Sequence, residues 1–159
     1  MCMNKKGFTL VELLVVVAIL GVLAAVGIVS FGGFLGNAKE NAVKTNHANM
    51  VKFTKSQLLK CTLGDTAMDL VDEQGNARPW NCDTETGMQS YIERFRQHHV
   101  GTFSNPYDSE LPSGLTNSDC NGQGQTSYTL GENNTLIMKT NFKNGEDCLI
   151  SQMSLEWWK

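Results

Sequence analysis

From Leu13 to Phe31 the chain is apolar at every position except Gly21, Gly27 and Ser30, and the residue at the mouth of this block is a glutamate, Glu12. Nineteen residues rising about 1.5 Å each cross most of a ~30 Å hydrocarbon core, so the block predicts a membrane-spanning helix. A carboxylate at bilayer depth is costly and calls for a partner, a route to the interface, or a function. The short head before it carries Lys5 and Lys6, which by the positive-inside rule keeps the N-terminus cytoplasmic and sends the rest of the chain outward. Gly7 then offers an unhindered peptide bond. A cut between Gly7 and Phe8 would create an α-amino group with an ordinary pKa of about 7.7–8.0, a cation four residues from Glu12 and able to neutralise it within one subunit or between neighbours.

Lys6-Gly7-Phe8-Thr9-Leu10-Val11-Glu12 ahead of an apolar helix resembles the class III signal sequence of type IV pilins and the related pseudopilins. The motif covers about Lys5 to Leu35, and the remainder of the chain matches in architecture alone. The resemblance implies that a prepilin peptidase cuts after Gly7, that the exposed Phe8 is N-methylated, and that Glu12 guides subunit docking during filament assembly. It further implies an inner-membrane assembly platform with its own ATPase, since the chain has no Gly-x-x-x-x-Gly-Lys loop. Two rival readings of the N-terminus exist. A secretory signal peptide cleaved near Leu23-Ala24-Ala25-Val26-Gly27 would not carry an acid at the start of its apolar region, and an ordinary membrane anchor leaves Glu12 unexplained. Cys2 has no preceding apolar stretch to make it a lipidation site, and it leaves with the leader.

The remaining cysteines, Cys61, Cys82, Cys120 and Cys148, are even in number in the part expected outside the cytoplasm, which reads as two disulfides. Of the three possible connectivities, Cys61–Cys82 with Cys120–Cys148 closes the most local loops, each worth about 3 kcal/mol on the chain-entropy model. Zinc is the rival use, but no pair stands at C-x₂₋₄-C spacing and His98-His99 has no cysteine near in sequence. No metal or other cofactor is expected. Asp108 and Glu110 beside Asn105 make a sparse oxygen cluster that would suit only weak calcium binding.

The formal charge of −3 falls to −5 once Lys5 and Lys6 are removed, and an acidic chain without clustered Lys and Arg is a poor candidate for direct nucleic-acid binding. No nucleophile signature accompanies His98-His99, so an enzyme is not expected. Asn133-Asn134-Thr135 fits the glycosylation sequon by its letters, and Trp157-Trp158 reads as a strand end with one ring packed on the core.

The organisation expected is α+β: a cleaved leader over 1–7, an apolar helix over 8–35, an amphipathic continuation over 36–60, and a disulfide-containing head over 61–159. Val43, Met50, Thr54, Leu58 and Cys61 recur at helical steps, so one helix of 53 residues from Phe8 to Lys60 is predicted, loosened where Gly27, Gly32, Gly33 and Gly36 cluster. The first half of such a helix needs lipid, and later other subunits, to cover it. In the head, Met88, Tyr91, Ile92 and Phe95 share a helical face. Gln125 to Leu130, Thr135 to Phe142 and Cys148 to Leu155 alternate as strands of an antiparallel meander, with Leu136, Met138, Phe142, Leu149, Met153 and Leu155 facing inward. The function this suggests is a structural subunit of a type IV pilus, waiting in the inner membrane with its head in the periplasm before joining a surface filament for adhesion, twitching motility or DNA uptake. The alternatives are a pseudopilin of a type II secretion system, whose major subunits typically lack such disulfides and bind calcium, and a membrane-anchored periplasmic enzyme or binding module.

Overall fold

A computed structural model describes residues 7–82, 87–115, 120–143 and 147–155. Cys2, Lys5, Lys6, Trp157 and Trp158 lie outside the described residues. The chain divides into two compact units, Met1–Ala38 and Lys39–Lys159.

Helix α1 spans Leu10–Thr62 without interruption, including the positions of Gly27, Gly32, Gly33 and Gly36. It begins on a reciprocal cap: Glu12 N–H donates to Thr9 Oγ1 at 3.3 Å, and Thr9 N–H donates back to Glu12 Oε2 at 2.9 Å. In the first unit the apolar side chains are exposed, Phe8 at 81% and Phe34 at 70%, because nothing in that unit packs against them. Such a surface is incompatible with water and demands another cover.

In the second unit α1 changes character. Val43, His47, Met50, Thr54, Gln57 and Leu58 form a buried stripe at steps of three, four and seven, which is the periodicity of one helix face. This amphipathic stretch therefore belongs to the same compact unit as the head. Its C-terminal end is tied down by polar contacts: Gln57 Oε1 accepts from the Asp69 N–H at 2.9 Å, and Lys60 pairs with Asp69.

Two short strands follow, β1 (Ala67–Met68) and β2 (Trp80–Asn81), paired antiparallel. Helix α2 spans Met88–Thr102 and buries Met88, Tyr91, Ile92, Phe95, His98 and His99. It ends where Ser113 Oγ and the Phe103 N–H both donate to the His99 carbonyl. Arg96, mostly covered, bridges Glu93 on its own helix and Glu73 of the preceding loop. The main sheet has the order β3 (Gly114–Leu115), β4 (Thr126–Gly131), β5 (Thr135–Lys143) and β6 (Asp147–Ser154). β4, β5 and β6 form the antiparallel meander, whereas β3 joins parallel to β4. The β4–β5 turn runs through Asn133 and Asn134, both at positive φ near +54°, a conformation asparagine tolerates better than most residues.

Leu136 and Met138 on β5, Met153 on β6 and Leu155 beyond it are buried with Met50, Tyr91, Phe95 and Tyr128 in one core. Phe142 and Leu149, expected inward, are only half-buried. A register shift between Asn141 and Lys143 breaks the two-residue alternation, buries Asn141 in place of the ring, and leaves Phe142 under the Lys44 ammonium at 4.4 Å.

Candidate assembly site

Gly7 and Phe8 precede the first turn of α1 in non-helical backbone, with Phe8 exposed. An accessible, unfolded peptide bond is what a protease needs. Glu12 stands one turn further on, and its Oε2 accepts two bonds from Thr9, the amide at 2.9 Å and the hydroxyl at 2.8 Å. The carboxylate that opens the apolar block is thus partly satisfied inside its own chain, at the positive end of the helix dipole. Thr9 was not among the expected site residues, although Thr9-Leu10-Val11-Glu12 spells the Ser/Thr-x-x-Glu capping signature. The motif can hold Glu12 in a defined rotamer beside Phe8, and so present one charge at a fixed depth. α1 is long and apolar enough to cross a membrane, and its most apolar window has no part buried in the protein.

In the head the four cysteines are joined as Cys61–Cys82 and Cys120–Cys148, with Cα atoms 5.4 Å and 6.4 Å apart. The first bridge fastens the last turn of α1 to the residue after β2, and the second fastens the chain before β4 to β6. Asn141 Nδ2 donates to the Cys120 carbonyl at 3.0 Å, so the buried bulge and the second bridge stabilise each other. Asp108 and Glu110 do not converge: Asp108 Oδ1 accepts the Glu110 N–H at 3.0 Å, while the Asn105 side chain bonds the backbone at Tyr107 and Gln123. Among the described residues no three His, Cys, Asp or Glu side chains stand together as metal ligands. His98 and His99 are buried in the core rather than arranged around a nucleophile.

Residues 2–28 match the family description "Prokaryotic N-terminal methylation motif". The type IV major pilin protein PilA of Myxococcus xanthus (strain DK1622) is 51% identical over 43 residues, 27% of this chain and 20% of that protein. Two type IV major fimbrial proteins FimA of Dichelobacter nodosus are 31% and 30% identical over 86 and 89 residues, about half of this chain and 54% and 57% of those proteins. The chain thus spans between a fifth and somewhat over half the length of these relatives. No solved structure matches. These similarities first define a class, a protein with a prepilin-type N-terminal methylation motif on an apolar helix and an α+β head. Within that class the chain is similar, over its N-terminal part, to relatives named as type IV major pilins and fimbrial proteins.

Proposed function

We propose that this chain is a structural subunit of a type IV pilus, processed between Gly7 and Phe8, N-methylated at Phe8, and held in the inner membrane by the apolar part of α1 until it is added to a filament. The observation that carries this reading is the exposed apolar part of α1, which opens on a capped Glu12 directly after Gly7-Phe8. Lipid covers that helix before assembly, and the same helices of neighbouring subunits cover it afterwards. As a new subunit enters laterally, its Glu12 meets the Phe8 amine of a subunit already in place. Low dielectric strengthens that attraction and penalises any register that leaves the carboxylate unpaired. The partners are therefore other copies of this or a related pilin, a prepilin peptidase, and an assembly platform whose ATPase supplies the energy. Two disulfides in the head and relatives named as major pilins favour a pilus over a type II secretion pseudopilus. Intact-mass measurement of the subunit recovered from sheared surface filaments tests the proposal. A mass beginning at N-methylated Phe8 is expected; one retaining Met1, or beginning between Ala25 and Gly27, contradicts it.

A further inference from the structure

The three histidines of this chain all lie where the second-unit part of α1 seats on the head. His47, on α1, places Nδ1 2.7 Å from Thr140 Oγ1 of β5 and Nε2 2.9 Å from Ser151 Oγ of β6, so two strands hold the two sides of one ring. Thr140 Oγ1 is in turn 2.6 Å from Thr126 Oγ1 of β4. His99, fully buried on α2, is held at Nδ1 by the Tyr128 hydroxyl of β4 and at Nε2 by Thr54 Oγ1 of α1, 3.4 Å away. His98 accepts the Val71 N–H at Nδ1 and stacks flat on Phe53 of α1 with ring centroids 4.0 Å apart.

Every nitrogen of His47 and His99 is therefore occupied by an uncharged hydroxyl, and the His98 nitrogen facing Val71 must lack a proton. A second proton on any of these rings buries a cation. The charged groups of the surrounding elements do not offset it. On α1, Glu40 is paired with Lys44; on α2, Glu93 is paired with Arg96, which also takes Glu73 from the preceding loop. β4, β5 and β6 present Tyr128, Thr140 and Ser151 to the rings, and among the described residues no carboxylate hydrogen-bonds an imidazole.

We propose that this seat is an acid-released latch: protonation of His47 and His99 frees the second-unit part of α1 from the sheet and from α2, while the Cys61–Cys82 bridge keeps its far end tied to the head. At neutral pH the helix is seated, and as pH falls the fraction of molecules in which it is released, still joined by that bridge, grows.

Burial holds His47 and His98 below the ordinary imidazole value and drives His99 down to about 3, with the neighbouring His98 and His47 acting in the same direction. The unfolded chain takes up these protons near pH 6.5 and the seated head refuses them. The stability they represent is therefore complete above about pH 6.5 and is lost as pH falls from there toward the lowered folded values. In that window His99, held down to about 3, raises the open fraction by up to about tenfold per pH unit, and His47 adds to this in the same direction. His98 contributes less, because an imidazolium over the Phe53 face recovers a cation–π attraction.

Hydrogen exchange of the full chain in detergent micelles, corrected for the intrinsic pH dependence, reads the latch directly. Between about pH 6 and pH 5 the amides of 43–58 and of β4 should lose more than about tenfold in protection, and the His47→Gln variant, which keeps hydrogen bonding but cannot charge, no more than about tenfold. Protection unchanged over that range, or the same slope in His47→Gln, overturns the proposal. Should His47→Gln not fold, histidine-labelled wild-type protein decides instead by NMR. The latch requires that the His47 and His99 ring signals change together with the loss of protection. All three rings titrating near pH 6.5 in a head that stays protected would overturn it.

Discussion

At Gly101 the α2 backbone passes so close to the loop after β1 that a Cβ there would stand 2.0 Å from the Asp72 carbonyl oxygen. Alanine normally gains up to ~1 kcal/mol over glycine inside a helix. Here the neighbour is backbone and cannot step aside cheaply, so overpacking on the order of 1–3 kcal/mol wins. Gly101→Ala is expected to lower the melting temperature of the head in the full chain, followed by near-ultraviolet dichroism; an unchanged or raised value would show that α2 is free to shift. Gly7 answers to a different demand, since a Cβ there would meet nothing within 4 Å beyond its chain neighbours. Gly7→Val adds a branched side chain at the bond proposed to be cut, and processing should stop. Immunoblots and intact mass would then show the unprocessed chain accumulating, while wild-type levels of mature subunit would argue against cleavage at this bond.

At the scale of the elements, the two bridges do different things. Cys61–Cys82 anchors the end of α1 and Cys120–Cys148 anchors β6, the edge strand of the sheet. Replacing either pair with serine is expected to cost roughly 2–5 kcal/mol in head stability, read by denaturant titration with and without reductant; an unchanged midpoint would mean the bridge is not formed in the folded protein. How far these elements were legible follows from local pattern. The nineteen-residue apolar block made α1 unmistakable, and the stripe Met88, Tyr91, Ile92, Phe95 marked the start of α2. α2 runs on to Thr102 and its buried stripe continues through His98 and His99, where polar letters occupy core positions and conceal the periodicity. β3 is two residues long and carries no alternation to read, so its parallel pairing with β4 came only from the structure. Phe142 obeyed strand alternation in sequence but not in space, because a bulge is a tertiary event that alternation alone does not announce. The Thr9–Glu12 cap was present in the letters and is the part of the candidate site that local sequence logic could have supplied.

For the molecule as a whole, the head is a self-sufficient unit with its own core, while the apolar part of α1 finds no cover within its own unit. A chain built this way needs lipid or other chains to bury that surface, and in the proposed function Glu12 is the group that makes the two environments distinguishable. Lipid offers a carboxylate nothing, whereas a neighbour's N-terminal amine offers an opposite charge. Insertion and assembly should therefore separate when Glu12 is changed. The most direct measurement compares membrane-inserted subunit with surface filaments, by fractionation and electron microscopy, in wild type, Glu12→Ala and Glu12→Gln. The account predicts insertion at or above the wild-type level in both variants and a sharp loss of filaments in both, since Gln keeps the shape and hydrogen bonding but removes the charge. Wild-type filament numbers in Glu12→Ala would contradict it.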